Sequence, residues 1–239
     1  MIVVGLGYVG LSNAVLLAQN NEVFGVDVCE KKVDMVNSGQ CPIEDKELKE
    51  YLSEHDLNLT ASNDLSSVVK GAEYVIICTP TDYNEQTNFF DTSSVEQVIE
   101  KVIFEEPNSC MIIKSTIPVG FVDRIRSRFE TDAVIFSPEF LREGSAVKDF
   151  LWPDRVVIGA SSDRAFKLME HIYRPLYINE TPMLHTNVIT AEMIKYAANA
   201  FLALKISYIN EVANLCESLG ADVHEVAKAM GQDGRISSK

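Results

Sequence analysis

The chain is short of basic residues and has no long apolar run. Of its 239 residues, 21 are Lys or Arg and 35 are Asp or Glu, so the formal net charge is −14. Nucleic-acid backbones select basic surfaces, and this balance therefore argues against a nucleic-acid partner. The first basic residue is Lys31, so the apolar start lacks the basic segment of a signal peptide. Without a run of about 18 apolar residues, we expect no membrane span.

Cysteine is scarce and irregularly spaced. The five residues, Cys29, Cys41, Cys78, Cys110 and Cys216, are odd in number and form no Cys-x-x-Cys pair. This pattern predicts neither a disulfide framework nor a zinc site, and we expect no bound metal. Free thiols persist in reducing compartments, so the pattern favours a cytoplasmic protein.

Short apolar runs alternate with segments of helical spacing over most of the chain. This alternation predicts a parallel sheet with helices on both faces. A polar, turn-rich loop is expected over 82–92. The predicted strands are 2–5, 22–27, 57–60, 74–79, 111–115, 134–137 and 155–159, and the predicted helices are 11–19, 31–37 and 94–104.

Glycine and proline are missing from Ala191 to Leu219, where apolar residues recur every three or four positions. This pattern predicts one helix roughly 43 Å long, too long for a crossover between strands. Its apolar positions are too many for one buried side, which favours dimerisation through this helix. We therefore assign 1–187 to a sheet domain and 188–239 to the start of a helical, dimer-forming domain.

The stretch GLGYVG fits the pattern Gly-x-Gly-x-x-Gly between a predicted strand and a predicted helix. Its first glycine permits a tight turn, its second lets the backbone approach a pyrophosphate, and its third lets helix and strand pack closely. The N–H groups at the start of the helix attract phosphate. The residues expected to bind a dinucleotide here are Gly5, Gly7, Tyr8, Val9 and Gly10.

Asp27 ends the second predicted strand, 17 residues after Gly10. Its carboxylate is expected to accept hydrogen bonds from ribose hydroxyls and to repel a 2′-phosphate, which favours NAD over NADP. Lys31 and Lys32 lie nearby and weaken that preference. A glycine turn without a ligand and an FAD site are the alternatives. We interpret the first domain as a Rossmann-type, doubly wound α/β sheet that binds NAD.

Polar residues follow the later strands, at the sheet edge where ligands bind in such folds. Thr81 and Thr116 are candidates to face the cleft, although each is also a candidate helix N-cap. Glu139 and Glu143 are four residues apart and would share one face of a helix. Repulsion between their carboxylates would raise one of the two pKa values, which suits general acid–base catalysis. A surface pair beside Arg142 is the alternative interpretation.

Lys195 and Asn199 are four residues apart on the long predicted helix. Phe201 and Leu202 lie close by, so we expect the pair at the edge of a buried apolar stripe. A lysine there can stabilise an alkoxide or act as a base. A solvated face is the alternative.

With these residues assembled, the chain resembles the UDP-glucose/GDP-mannose dehydrogenase family, and within it the UDP-glucose branch. The resemblance spans nearly the whole chain. The matching stretches are VGLGYVGLSNAVLLAQ (4–19), CTPTDYNEQTNFFDTSSVE (78–96), IKSTIPVGF (113–121), FSPEFLREG (136–144) and AEMIKYAANAFLALKISYINE (191–211).

The resemblance implies oxidation of the C6 alcohol of UDP-glucose to a carboxylate, with two NAD reduced and a cysteine-bound intermediate. It implies that Glu139 or Glu143, with Thr116, handles the water that cleaves the thioester. It implies that Lys195 and Asn199 bind the sugar and stabilise oxyanions. The other residues that it assigns to the substrate are Phe140, Leu141 and Arg235.

The family's nucleophile lies in a Gly-Gly-x-Cys motif soon after a segment that matches DGRI, and the chain ends at Lys239 before any such motif. We therefore expect a fragment without the nucleophile and without the UDP-binding domain. It is expected to bind NAD, to bind UDP-glucose weakly and to lack complete turnover.

Other functions stay open from the sequence. One group of alternatives is a dehydrogenase for GDP-mannose or UDP-N-acetylmannosamine. Another is a β-hydroxyacid dehydrogenase, which also pairs such a sheet with a helix carrying Lys-x-x-x-Asn. A third is a non-catalytic NAD-binding module.

Overall fold

The structure, a computed structural model, describes residues 1–142, 144–176 and 181–236. Within them the chain divides into two compact units, Met1–Met193 and Ile194–Lys239. The strands are β1 (Ile2–Val4), β2 (Val23–Val26), β3 (Leu59–Ser62), β4 (Tyr74–Ile77), β5 (Tyr83–Asn84), β6 (Phe89–Phe90), β7 (Cys110–Ile113), β8 (Val134–Phe136), β9 (Val156–Gly159) and β10 (Met183–Thr186). The helices are α1 (Tyr8–Leu17), α2 (Glu30–Asn37), α3 (Lys46–Glu54), α4 (Ser93–Glu105), α5 (Phe121–Phe129), α6 (Ala146–Leu151), α7 (Asp163–Tyr173), α8 (Val188–Leu219) and α9 (Val223–Gly231).

The first unit is built on an eight-stranded sheet in the order β10-β9-β8-β7-β4-β1-β2-β3. Chain order runs outward in both directions from the boundary between β1 and β4, which is the doubly wound arrangement. Neighbouring strands are parallel, except that β8 and β9 meet antiparallel at Phe136 and Gly159. The predicted α/β class is confirmed, and the strictly parallel sheet is corrected at that one contact.

Central strands are apolar throughout because helices flank the sheet. Ile76 on β4 and Ile112 on β7 are fully buried, as expected for strands covered on both faces. Helix α1 packs on the same core through Leu11 and Leu16, which are also fully buried. This core holds the ends of β1, β2, β4 and β7 side by side at one edge of the sheet.

Several elements were not predicted. Helices α3, α5, α6 and α7 and strand β10 are additions to the predicted set. The expected loop over 82–92 contains a short antiparallel hairpin, β5 and β6. Strand β10 alternates poorly in hydropathy, with partly exposed Met183 and Thr186 around Leu184 and His185, because it lies at the edge of the sheet.

The second unit contains most of α8 and all of α9. The predicted buried stripe is wrong in this chain, because Phe201 and Leu202 are 62% and 58% exposed. Asp222 caps α9 by accepting hydrogen bonds from the backbone of His224 and Glu225. None of the described helices combines the length and the hydropathy that crossing a lipid bilayer requires.

Candidate NAD site and its neighbours

Two glycines are required by the turn between β1 and α1. Gly5 has a φ of +94°, and a Cβ there would lie 2.5 Å from the carbonyl oxygen of Cys78. A Cβ on Gly10 would lie 1.7 Å from the carbonyl oxygen of Gly5. Any side chain at either position would push the first turn of α1 away from the sheet, as the sequence pattern predicts.

Gly7 differs from these two glycines because it is not packed against the chain. A Cβ on Gly7 would meet no atom of the described residues within 4 Å. Gly7 is the residue before α1, and it lines an open cleft together with Tyr8 and Val9. The unpaired N–H groups of a helix start therefore face open space, which fits the pyrophosphate of a dinucleotide.

The cleft has a volume of about 780 Å³ and lies at the carboxyl ends of β1, β2 and β4. Of the residues predicted to bind cofactor, Gly5, Gly7, Tyr8, Val9 and Asp27 line it. Its other walls were missed by the sequence analysis, since they come from elements distant in the chain. These residues include Asn63, Leu65, Ser94, Gln97 and Lys101.

Asp27 is a nearly buried carboxylate at the end of β2. One oxygen accepts a hydrogen bond from the backbone N–H of Leu6 at 2.8 Å, and the other accepts one from Cys29 N–H at 2.9 Å. Lys32 Nζ lies 3.3 Å from the first oxygen. These contacts hold the carboxylate at the cleft wall. An ionised carboxylate has about four acceptor positions, so some remain for ribose hydroxyls.

Two residues predicted to bind cofactor, Lys31 and Thr81, are not among those that line this cleft. Lys31 is exposed on α2, whereas Lys32 lines the cleft. The cleft wall after β4 is formed by Thr79 rather than Thr81. The Thr79 hydroxyl accepts a hydrogen bond from Ser94 at 3.0 Å, which ties this wall to α4.

Thr116 lies half-buried in the loop between β7 and α5. The alternative role as a helix N-cap is excluded, because Gly120 precedes α5 and occupies the cap position. Thr81 is likewise no cap, since α4 begins after Thr92. Both threonines therefore stay candidates for contact with a ligand.

Glu139 follows β8 in a segment that is not helical over 137–142, so the predicted shared helical face with Glu143 does not form. Glu143 itself lies outside the described residues. Glu139 instead forms a short ion pair with Lys114, which directly follows the neighbouring strand β7. Sequence reasoning missed Lys114, although a lysine at the end of an otherwise apolar strand was a usable signal.

Phe140 and Leu141, both predicted to bind substrate, are half-buried beside Glu139. The guanidinium carbon of Arg155 lies 4.0 Å from the centre of the Phe140 ring. Leu141 and Arg142 line the same cleft as the glycine loop, and Arg142 is held by a bidentate pair with Asp149. The segment after β8 therefore reaches the cofactor cleft.

The remaining predicted site residues belong to the second unit. Lys195 is half-buried and Asn199 exposed on α8, one helical turn apart. Arg235 is 89% exposed and forms hydrogen bonds of 3.0 and 2.6 Å to the carboxylate of Asp233.

The cysteines differ strongly in environment. Burial raises the pKa of Cys78 to about 12 and that of Cys110 to about 11. Burial also raises the pKa of Cys41. Cys29 is exposed beside Asp27, whereas Cys216 is buried. Because the thiolate is the reactive form, Cys41, Cys78 and Cys110 are poor nucleophiles.

Comparison with known proteins agrees with this geometry. The chain is 42% identical to UDP-glucose 6-dehydrogenase of Streptococcus pneumoniae over 243 residues, and 40% identical to that of Rhizobium meliloti over 248 residues. Each match covers 99% of this chain, and 61% and 57% of the relative. The chain thus spans about 60% of the length of these relatives.

Two solved nucleotide-sugar dehydrogenases share the fold of this chain. The chain superposes on a UDP-glucose dehydrogenase from Pyrobaculum islandicum with a TM-score of 0.89 and 33% identity, over 99% of this chain and 57% of the other. For a GDP-mannose dehydrogenase of Pseudomonas aeruginosa the TM-score is 0.87 and the identity 32%, over 97% and 56%.

Family models match in two consecutive parts. Residues 1–177 match the NAD binding domain of the UDP-glucose/GDP-mannose dehydrogenase family, and residues 189–239 match its central domain. The matched NAD binding domain includes the glycine loop, Asp27 and the cleft that both line, so the cofactor of this chain is NAD. The chain belongs to the UDP-glucose/GDP-mannose dehydrogenase family.

Proposed function

We propose that the chain supplies the NAD-binding and central portions of a UDP-glucose 6-dehydrogenase. In this reaction the C6 alcohol of UDP-glucose becomes a carboxylate, water supplies the second oxygen, and two NAD are reduced to NADH. The observation that carries the proposal is one cleft lined both by Gly7, which has open space where a Cβ would lie, and by the Asp27 carboxylate. The relatives that support the substrate are themselves UDP-glucose 6-dehydrogenases.

NAD would bind along the cleft with its pyrophosphate on the start of α1. The N–H groups of Gly7, Tyr8 and Val9 would donate to the phosphate oxygens. Asp27 would accept hydrogen bonds from the adenosine ribose, and its charge would repel the 2′-phosphate of NADP. When bound, NAD supplies the hydride acceptor for both oxidation steps.

The substrate side is assigned from the family resemblance and from the strand ends. Thr116 and Glu139 follow the neighbouring strands β7 and β8, and they would handle the water that releases the product. Phe140 and Leu141 would lie along the nucleotide sugar. The residues that complete the proposed set are Glu143, Lys195, Asn199 and Arg235.

We further propose that none of the five cysteines in residues 1–239 is the nucleophile. Burial raises the pKa values of Cys41, Cys78 and Cys110, and Cys216 is buried. Cys29 is exposed, but it lies beside the acid proposed to bind ribose, far along a bound dinucleotide from the nicotinamide. Complete turnover by residues 1–239 alone is therefore not expected.

The proposed domain assignment is 1–187 for NAD binding and 188–239 for the central helical domain. We propose that α8 forms a homodimer, because Phe201, Leu204 and Ile206 are each more than half exposed. Sedimentation velocity tests this: a monomer at micromolar concentration would contradict it. Five free thiols favour a reducing compartment such as the cytoplasm.

Calorimetric titration with NAD, NADP and UDP-glucose tests the proposal on this chain. NAD should bind more tightly than NADP, and UDP-glucose should bind more tightly than GDP-mannose or UDP-N-acetylmannosamine. Tighter binding of GDP-mannose or UDP-N-acetylmannosamine would indicate the dehydrogenase branch specific for that sugar. Binding of 3-hydroxy acids alone would favour a β-hydroxyacid dehydrogenase. Two NADH formed per UDP-glucose would contradict the proposal about the cysteines.

A further inference from the structure

A buried ion pair joins Glu139, a residue of the proposed reaction site, to Lys114, and neither residue lines the cofactor cleft. The side chains of Lys114 and Glu139 are only 4% and 13% exposed, and the lysine nitrogen contacts a carboxylate oxygen directly. The two residues are 25 apart in sequence. They meet because β7 and β8 are parallel neighbours, so that the residues after each strand lie at the same edge.

Lys114 is fixed from several sides. Its ammonium lies 3.4 Å from the carbonyl oxygen of Ser137 and 4.6 Å from the centre of the Tyr173 ring. The Tyr173 hydroxyl donates to the side-chain oxygen of Asn13 on α1 at 3.3 Å. Tyr173 and Asn13 are themselves fully or almost fully buried. A long flexible side chain is thereby held in one place, although lysine usually retains many rotamers.

The surroundings of this pair explain why both charges are needed. A charge taken out of water is costly unless an opposite charge and hydrogen bonds compensate it. Lys114 compensates the carboxylate with an ammonium, and an aromatic face and a carbonyl oxygen surround that ammonium. A general base must be ionised and held within reach of its proton before the reaction starts.

We propose that Lys114 is a positioning residue that holds the Glu139 carboxylate in one place at the edge of the sheet through their ion pair. The assignment of a base function to Glu139 rests on the proposed function, whereas the ion pair that positions Glu139 does not. Lys114 itself is not placed in contact with substrate or NAD. It acts through Glu139.

Cys78 provides a reporter within the chain itself. Its thiol senses both members of the pair: burial raises its pKa to about 12, Lys114 lowers the pKa and Glu139 raises it. The proposal therefore predicts opposite effects on alkylation of Cys78 by iodoacetamide, followed by peptide mass spectrometry between pH 7 and 10. Lys114→Gln should slow the reaction at least about threefold, and Glu139→Gln should accelerate it by a similar factor, because one pKa unit is tenfold in thiolate.

Controls separate charge from loosened packing. Loosening would expose Cys78 and accelerate alkylation in every variant, so acceleration by Lys114→Gln would overturn the proposal. Lys114→Arg keeps the charge and should restore the wild-type profile. If Lys114→Gln alone does not fold, the double variant Lys114→Gln/Glu139→Gln, in which both side chains are neutral, is compared with Glu139→Gln. Alkylation of Cys78 should be slower in the double variant.

The test is independent of the proposed substrate. Failure of wild-type protein to bind UDP-glucose in the calorimeter would remove the proposed reaction and leave the alkylation result unchanged. Unchanged alkylation of Cys78 in Glu139→Gln would show that no Lys114–Glu139 ion pair lies beside Cys78. That outcome would overturn the role of Lys114 even if NAD and UDP-glucose bind as proposed.

Discussion

The two units of the chain bury their apolar residues to very different extents. In α1 of the first unit, eight of ten residues are buried, whereas α9 of the second unit buries none of its nine, all of them described. On α8, Phe201, Leu202 and Leu204 are each 58–62% exposed. The first unit therefore completes its core from its own residues. The second unit exposes apolar residues to water, and covering them with another surface would stabilise the chain.

Two leucines on helices allow the sharpest test of this difference. Leu16 on α1 is fully buried, and Leu204 on α8 is 62% exposed. Leu16→Ala should lower the free energy of unfolding by about 2–5 kcal/mol, because it removes buried methyl groups and leaves a cavity. Leu204→Ala should change it by about 0.5 kcal/mol or less in the monomer. Urea unfolding followed by circular dichroism gives both values.

Protein concentration separates the monomer from a covered state. If a second copy covers α8, association stabilises the folded wild type as protein concentration rises. The difference in unfolding free energy between wild type and Leu204→Ala should then grow when both are measured at higher concentration. A cost for Leu204→Ala equal to that of Leu16→Ala, independent of concentration, would show that the second unit buries its own leucines.

The second prediction concerns two glycines of the same loop. Gly10→Ala would place a Cβ 1.7 Å from a backbone oxygen, so the turn must shift. We expect a loss of about 3 kcal/mol in unfolding free energy, together with loss of NAD binding. Gly7→Ala adds a Cβ in open space, so stability should change by less than about 1 kcal/mol while NAD affinity falls. Equal stability losses would contradict the division of the loop into packed and open positions.

Much of the fold could be predicted because its signals are local. Strands such as β4 and β7 are continuous apolar runs, and the glycine loop is complete within six residues. Helix α5 escaped prediction because its sequence, FVDRIRSRF, has only a few apolar positions and follows a proline-containing loop. Strand β10 escaped because an edge strand needs no continuous apolar run.

The site could be predicted only where strand order was not required. Asp27 and the glycine loop belong to one strand–helix–strand unit, so their proximity follows from the local pattern. The pairing of Lys114 with Glu139 depends on β8 lying next to β7. Exposed Phe201 and Leu202 were expected to be buried, because periodicity shows that residues share a face but does not show what covers that face.

Within the first unit, the wall at Asp27 can be tested separately from the glycine loop. Asp27→Asn keeps the shape of the side chain and removes its charge. NAD affinity should fall about tenfold, or about 1.4 kcal/mol, because charge-assisted hydrogen bonds to ribose become neutral ones. NADP should lose less affinity or gain some, since the repulsion of its 2′-phosphate disappears. Calorimetry with both cofactors decides, and equal losses would argue against contact between Asp27 and the ribose.

The smallest effect is expected at Glu192, near the end of the first unit on α8. Its carboxylate is fully buried and accepts hydrogen bonds from the backbone N–H groups of Gly120 at 2.6 Å and Val122 at 3.0 Å. Burial raises its pKa above 4.5, and Asp123 adds to this, while the two hydrogen bonds and Arg126 oppose it. The folded chain therefore holds this proton more tightly than the unfolded chain.

The sign of the pH dependence follows from that difference. Below pH 4.5 both states are protonated at Glu192, so the residue contributes no slope. As pH rises through 4.5 the unfolded chain ionises first, and the free energy of unfolding falls until the folded carboxyl also ionises. Glu192→Gln should lower the free energy of unfolding, because a carboxamide offers one acceptor oxygen to two N–H groups, and the new side chain does not titrate. Relative to wild type, however, it should gain stability as pH rises from 4 to 7. Urea unfolding at both ends of this range measures the change, and a relative loss of stability on raising the pH would mean that the buried charge is favoured where α8 meets α5.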